Sequence, residues 1–99
     1  MANSNELIIK SQNIMQQVLA AQKANKPIDG LVRQQIKVME EHHDEFVKEA
    51  VELGIDNLER AKIEIKLYSN IKAWAKKIGL PTDKYDNAIS EIQKRFGAG

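Results

Sequence analysis

The sequence predicts an all-α fold, an antiparallel bundle of three long helices with a shorter fourth on the C-terminal side. Three observations lead there. Apolar residues recur at intervals of three and four along four stretches of the chain. Short segments rich in glycine and proline, "NKPIDG", the turn at Gly54 and Ile55, and "LPT", separate those stretches. No segment reads as a strand, and no internal repeat or low-complexity tract is present. At 99 residues the chain forms one domain, residues 1–99, because a core of this size cannot be divided into two.

The first helix runs from about Ser4 to Asn25. Asn3 and Glu6 form a capping pair, and Leu7, Ile8, Ile14, Met15, Val18, Leu19 and Ala21 recur on one side. Pro27 disfavours helical geometry in Lys26 and breaks the pattern. The second helix spans about Asp29 to Leu53 and ends at Gly54, with Val32, Ile36, Met39, His43, Phe46, Ala50 and Leu53 forming a seam. Asp56 and Glu59 make the next capping pair, for a third helix over about 57–78 with Ile63, Leu67, Ile71, Trp74 and Ile78 as its stripe. The fourth helix, about Asp83 to Phe96, carries Tyr85, Ala88, Ile89, Ile92 and Phe96 on one face.

Short connections favour antiparallel neighbours. Folding the second helix onto the third about Gly54 sets Ile36 by Trp74, Met39 by Ile71, His43 by Leu67 and Phe46 by Ile63. Folding the first helix back about Pro27 sets Leu19 by Ile36, Met15 by Met39, Ile8 by Phe46, and Ser11 or Gln12 at the level of His43. The three stripes are thereby expected to close on one another. Leu58, Ile65 and Tyr68 lie away from the main stripe of the third helix, and the fourth is expected to cover part of that face, with Phe96 by Ile65 and Ile92 by Tyr68.

Composition narrows the function classes. The chain has no cysteine, which excludes disulfides, thiolate metal sites and cysteine nucleophiles. A formal net charge of +1 is too small for whole-protein attraction to nucleic acid or membrane. The opening "MANSNELIIKSQNIM" lacks the basic start and apolar core of a secretory leader, and no apolar run approaches the ~20 residues that cross a bilayer; a cytoplasmic location is the expectation.

The stretch "MEEHHDEF", Met39 to Phe46, concentrates the only two histidines among four carboxylates. Glu40 and His43 stand three residues apart, the spacing that aims a carboxylate and an imidazole at a metal in carboxylate-bridged bundles. With Glu64 they form a candidate metal set, which a second copy of the chain would have to complete. In the alternative, His43 is an interior histidine in a buried polar layer with Ser11 and Glu64, because an unsatisfied buried ring nitrogen costs about 1–3 kcal/mol. Ser11 lies within a helix facing packed side chains, with no sharp turn or backbone oxyanion site, so hydrolase chemistry is not expected. No glycine-rich phosphate loop occurs.

Charge is segregated. Acidic residues dominate from Lys37 to Leu53 and basic ones from Arg60 to Lys77, as expected of complementary flanks in an antiparallel hairpin. Arg33, Lys37, Lys72, Lys76, Lys77 and Lys84 extend beyond that match and form a basic rim that could touch phosphate. The first helix is rich in uncharged amides, and its outward stripe of Ile9, Asn13, Gln16 and Ala20 is the first candidate for association, since burying amides costs less than burying ions. Leu58, Ile65 and Tyr68 are the second. The expected function is therefore a non-enzymatic helical protein-interaction module that needs no cofactor, with a protein partner or another copy of the chain bound through helix surfaces. A metal-binding bundle completed by oligomerisation and a nucleic-acid module acting through the basic rim are the alternatives.

Overall fold

The computed structural model describes residues 4–97, which form α1 (Ser4–Lys23), α2 (Asp29–Glu52), α3 (Leu58–Lys77) and α4 (Asp83–Phe96), with no strand among them. The fold is all-α, with four helices packed consecutively. The expected cap at Asn3 lies outside the described residues.

Left-handed residues close the first three helices. Asn25 (φ 56°) follows α1, and the Lys26 N–H donates to the Ala21 carbonyl at 2.8 Å, so the helix ends two residues before the expected Asn25. Gly54 (φ 70°) does the same for α2, with the Ile55 N–H donating to the Ala50 carbonyl at 2.9 Å. The start of α3 differs from expectation. Asn57, in extended geometry, accepts the Arg60 N–H at 3.0 Å and is the cap. Asp56 instead pairs with Arg95 at 2.7 Å, tying the start of α3 to the end of α4.

Backbone contacts join α1 to α2, α2 to α3 and α3 to α4; none joins α1 to α3 among the described residues. The body is flattened, 45 × 28 × 16 Å. One core runs through all four helices, built from Leu7, Ile14 and Val18 of α1, Val32, Ile36 and Val38 of α2, Ile71 and Ala75 of α3, and Tyr85 of α4.

The closed three-helix core does not form. On α3 the buried line is Ala61, Glu64, Ile71 and Ala75, whereas Ile63 of the expected stripe is exposed and Leu67, Trp74 and Ile78 are only half-buried. This helix has two neighbours to serve, α2 and α4, and turns toward both the arc that includes its small alanines, which permit close approach. Leu67 of the expected stripe lines a small cleft with Leu7, Ile8, Ser11 and Gln12 of α1, while Trp74 and Ile78 pack against the edge of the core. On α1, correspondingly, Leu7, Ile14 and Val18 are buried while Ile8, Met15 and Leu19 are exposed. Leu53, expected in the seam of α2, is likewise exposed.

The short α4 runs antiparallel to α3: Asp86 near its start pairs with Lys72, and Arg95 near its end reaches Asp56. Tyr85 is the ring that meets Tyr68, at 6.4 Å between centroids, in the place where Ile92 was expected. Ile65 and Tyr68 are half-buried on α3, and Leu58 remains exposed.

Candidate functional site

A polar junction forms where α2, α3 and α4 meet. His43 is buried because it follows Ile36 by seven residues on the face of α2 turned to α3. Its ring lies 4.2 Å from that of Tyr68, tilted by 43°. Nε2 is 3.8 Å from the Glu64 carboxylate, beyond hydrogen-bond length, and Nδ1 is 3.3 Å from the exposed carboxylate of Asp44. Glu64, also buried, has the Arg60 guanidinium at 3.8 Å. That guanidinium also donates to the Ile55 carbonyl at 2.8 Å, so it braces the turn between α2 and α3.

One helical turn away, Glu40 accepts the Tyr85 hydroxyl at 2.9 Å and the Lys84 ammonium at 3.0 Å. These two bonds clamp the start of α4 to α2, although the two helices share no backbone contact. Burial pushes the Tyr85 hydroxyl up to about 12, and the bond to Glu40 and its negative charge add to the shift. Burial raises Tyr68 as well, reinforced by the charges of Glu64, Asp44 and Glu40. Asp86 is held below the ordinary carboxylate range by its bond to Lys72, against opposing desolvation; Thr82 also donates to it, at 3.1 Å. Both tyrosines are therefore neutral at neutral pH, and with Tyr85 donating to Glu40 the junction works as a brace between helices.

The three residues of the expected polar layer are only partly brought together. His43 and Glu64 meet, but Ser11 lies in a separate cleft with His42, Met39 and Leu67. The axial level is close to expectation; the angular position is not, because α1 packs against the Val38 side of α2, where His42 rather than His43 is the nearer ring. The candidate metal set fares similarly. Glu40 is occupied by Tyr85 and Lys84, and no group of three or more histidine and acidic side chains able to hold a metal occurs among the described residues.

The basic rim is interleaved with acids. Lys72 pairs with Asp86 and Lys84 with Glu40. Lys77 lies over the Trp74 ring at 5.7 Å. Arg33 and Lys37 border a groove of about 490 Å³ whose other walls include Glu40, Glu41 and Asp44. Lys76, the remaining member of the rim, is exposed in the last turn of α3.

No family model matches this chain, and no curated protein or solved structure matches it either. Its functional surface must be read from its own chemistry.

Large apolar side chains are exposed on both α1 and α3. Of the first association stripe, Ile9, Asn13, Gln16 and Ala20 are all exposed, but Ile9 is its only large apolar member. More apolar area lies on the neighbouring flank, where Ile8, Met15 and Leu19 are 39%, 44% and 54% exposed. Ile8 and Gln12 share a cleft with Met39 of α2 and Leu67 of α3, which directs that flank toward the groove between α1 and α3. The exposed Ile63 stands one turn from Leu67 on the opposite bank, beside a cleft of about 340 Å³ lined by Phe46, Ala50, Leu53 and Ile55. No helix is long and apolar enough to cross a membrane among the described residues.

Sequence reasoning assigned Ile8, Met15, Leu19 and Ile63 to the interior, although a signal against this was available. Leu7-Ile8, Ile14-Met15 and Val18-Leu19 are adjacent apolar pairs, so the apolar arc of α1 is wider than one neighbouring helix can cover.

Proposed function

We propose that the chain is a non-enzymatic helical protein-interaction module that binds a protein partner through the open face between α1 and α3. The supporting observation is that Ile8, Met15 and Leu19 on one flank of α1 and Ile63 on α3 are exposed, with Ile8 and Leu67 lining one cleft between the two helices. Fully burying one such side chain is worth about 1.5–3 kcal/mol, and several half-exposed ones in a row leave a comparable sum for a partner to gain. Large apolar side chains clustered along one groove, bordered by polar groups, are the ordinary mark of a protein-binding surface. The amide-rich stripe of Ile9, Asn13, Gln16 and Ala20 adjoins the groove and supplies its polar rim.

A paired capture experiment tests this reading. The wild-type chain and a Met15→Glu/Leu19→Glu variant are used as bait, after circular dichroism has established equal helicity and melting temperature. Proteins or copies of the chain retained by wild type and lost with the variant are the expected result. An identical retained set for both, with the variant folded, would overturn the proposal.

A further inference from the structure

We infer that His43, Glu64 and Arg60 form a proton-operated switch in the α2–α3 hairpin. With His43 neutral, the Glu64 carboxylate belongs to Arg60; with His43 protonated, it moves to the ring.

Glu64 Oε1 stands between two nitrogen groups and is bonded to neither. It lies 3.8 Å from His43 Nε2 and 3.8 Å from Arg60 Nη2, beyond hydrogen-bond length in both directions. The side chains of His43, Glu64 and Arg60 are 10%, 11% and 11% exposed, so water contributes little to satisfying them. His43 Nε2 and Arg60 Nε are both buried with no hydrogen-bond partner among the described residues, a rare condition for buried polar atoms. A carboxylate equidistant from two such groups can settle on either.

The protonation of the ring decides which. His43 Nδ1 is 3.3 Å from the Asp44 carboxylate, which can only accept, so the single proton of the neutral ring sits on Nδ1. Nε2 then turns a lone pair toward Glu64 Oε1, and two acceptors form no bond. This accounts for the 3.8 Å separation. A second proton makes Nε2 a charged donor, and a charge-assisted bond to Glu64 closes to about 2.7–2.9 Å.

The surroundings suit an imidazolium. On α2, Asp44 faces Nδ1, and Glu40 one turn away is held by Tyr85 and Lys84 of α4. On α3, Glu64 faces Nε2, the neutral Tyr68 lies against the ring at 4.2 Å, and the Arg60 cation stands on the far side of Glu64. Tyr85 of α4 is behind Tyr68, at 6.4 Å between centroids, and the cleft beside α1 takes His42 instead.

Arg60 carries the change to the turn. Its guanidinium donates to the Ile55 carbonyl at 2.8 Å and lines the cleft of about 340 Å³ with Phe46, Ala50 and Ile63. Once Glu64 closes on the ring, Arg60 keeps the Ile55 carbonyl and Asp56, at 3.9 Å, and shifts toward them. The wall of the cleft moves with it.

Nuclear magnetic resonance of the full isotope-labelled chain, from about pH 8 to about pH 5 where histidine ordinarily changes charge, tests the switch. At the upper end the ring nitrogens of His43 should report the Nδ1–H tautomer. On acidification the Glu64 carboxyl carbon and the Arg60 Nε–H signals should move with the midpoint of the His43 ring. His43→Gln, which can bond but takes no proton, should abolish both movements, and His42→Gln should retain them, with circular dichroism establishing that each variant is folded. If His43→Gln does not fold, the wild-type and His42→Gln titrations decide. The inference is overturned by an Nε2–H tautomer, by a His43 ring that takes no proton across the range, by Glu64 and Arg60 signals that stay flat while His43 titrates, or by movements that survive in folded His43→Gln.

Discussion

Replacing Gln35 by methionine should stabilise this protein. Gln35 is fully buried on α2, and neither its amide nitrogen nor its amide oxygen has a hydrogen-bond partner among the described residues. Burying an amide without compensation costs about 1–3 kcal/mol on mutational scales. Methionine is similar in length and flexible enough to fill the same space, so the exchange removes the polar cost without opening a cavity. A gain of about 2 kcal/mol follows, which for a chain near 100 residues raises the melting temperature by about 8–16 °C. Urea unfolding followed by circular dichroism measures it, and an unchanged slope with a higher midpoint marks a pure stability effect. Gln35→Ala separates polarity from packing, because it removes the amide but leaves a void and should lose stability. A Gln35→Met protein less stable than wild type would refute the reasoning, since it would mean that the amide is hydrogen-bonded in the folded state.

Three further outcomes follow from the junction and the turns. Tyr85→Phe removes the hydroxyl that Glu40 accepts and should cost about 1–2 kcal/mol in chemical denaturation, with α4 losing more hydrogen-exchange protection than α1. Both tyrosines of the chain titrate high when folded, Tyr85 at about 12, so the phenolate absorbance midpoint should lie above 10 in the native protein and return to about 10 in urea. The sign follows from linkage: above the unfolded value near 10 the unfolded chain loses tyrosine protons that the folded chain keeps. The tyrosine contribution to stability is therefore complete below pH 10 and falls away as pH rises through about 12, a decline that Tyr85→Phe should lessen. Gly54→Ala should cost about 1–2 kcal/mol by thermal unfolding, because the position is left-handed (φ 70°) while an added Cβ meets nothing within 4 Å, so the penalty is conformational alone.

Parts of the polar junction were legible before any packing was known, whereas the exposed flank of Ile8, Met15, Leu19 and Ile63 was not. His43 was placed inside by its seam position, and Glu64 by its level opposite it, because both follow from helix periodicity and hairpin register. Tyr85 was placed on the inner face of α4, but its bond to Glu40 was not foreseen, because nothing local says that α4 lies close enough to α2 for a tyrosine to span the gap. Gln35 gave no warning at all. It is a polar residue beside Ile36 on an amphipathic helix, and only the arrival of other helices around it leaves its amide dry.

Local chemistry by itself determined four helices, their order and, to within two residues, their ends. Apolar spacing selects the helix over the strand, and Asn25, Gly54 and Gly79 each adopt the left-handed conformation that stops a helix wherever it sits. What tertiary structure alone decided was the rotation of each helix about its own axis. Both α1 and α3 have apolar arcs wider than one neighbour can cover, so several rotations bury similar areas, and the choice depends on competition among all partners at once. With α4 docked on α3 through Lys72, Tyr85 and Arg95, α3 turned Ala61, Glu64 and Ala75 inward. Ile63 and, across the groove, Ile8, Met15 and Leu19 were left outside, and this converted an expected core into a surface.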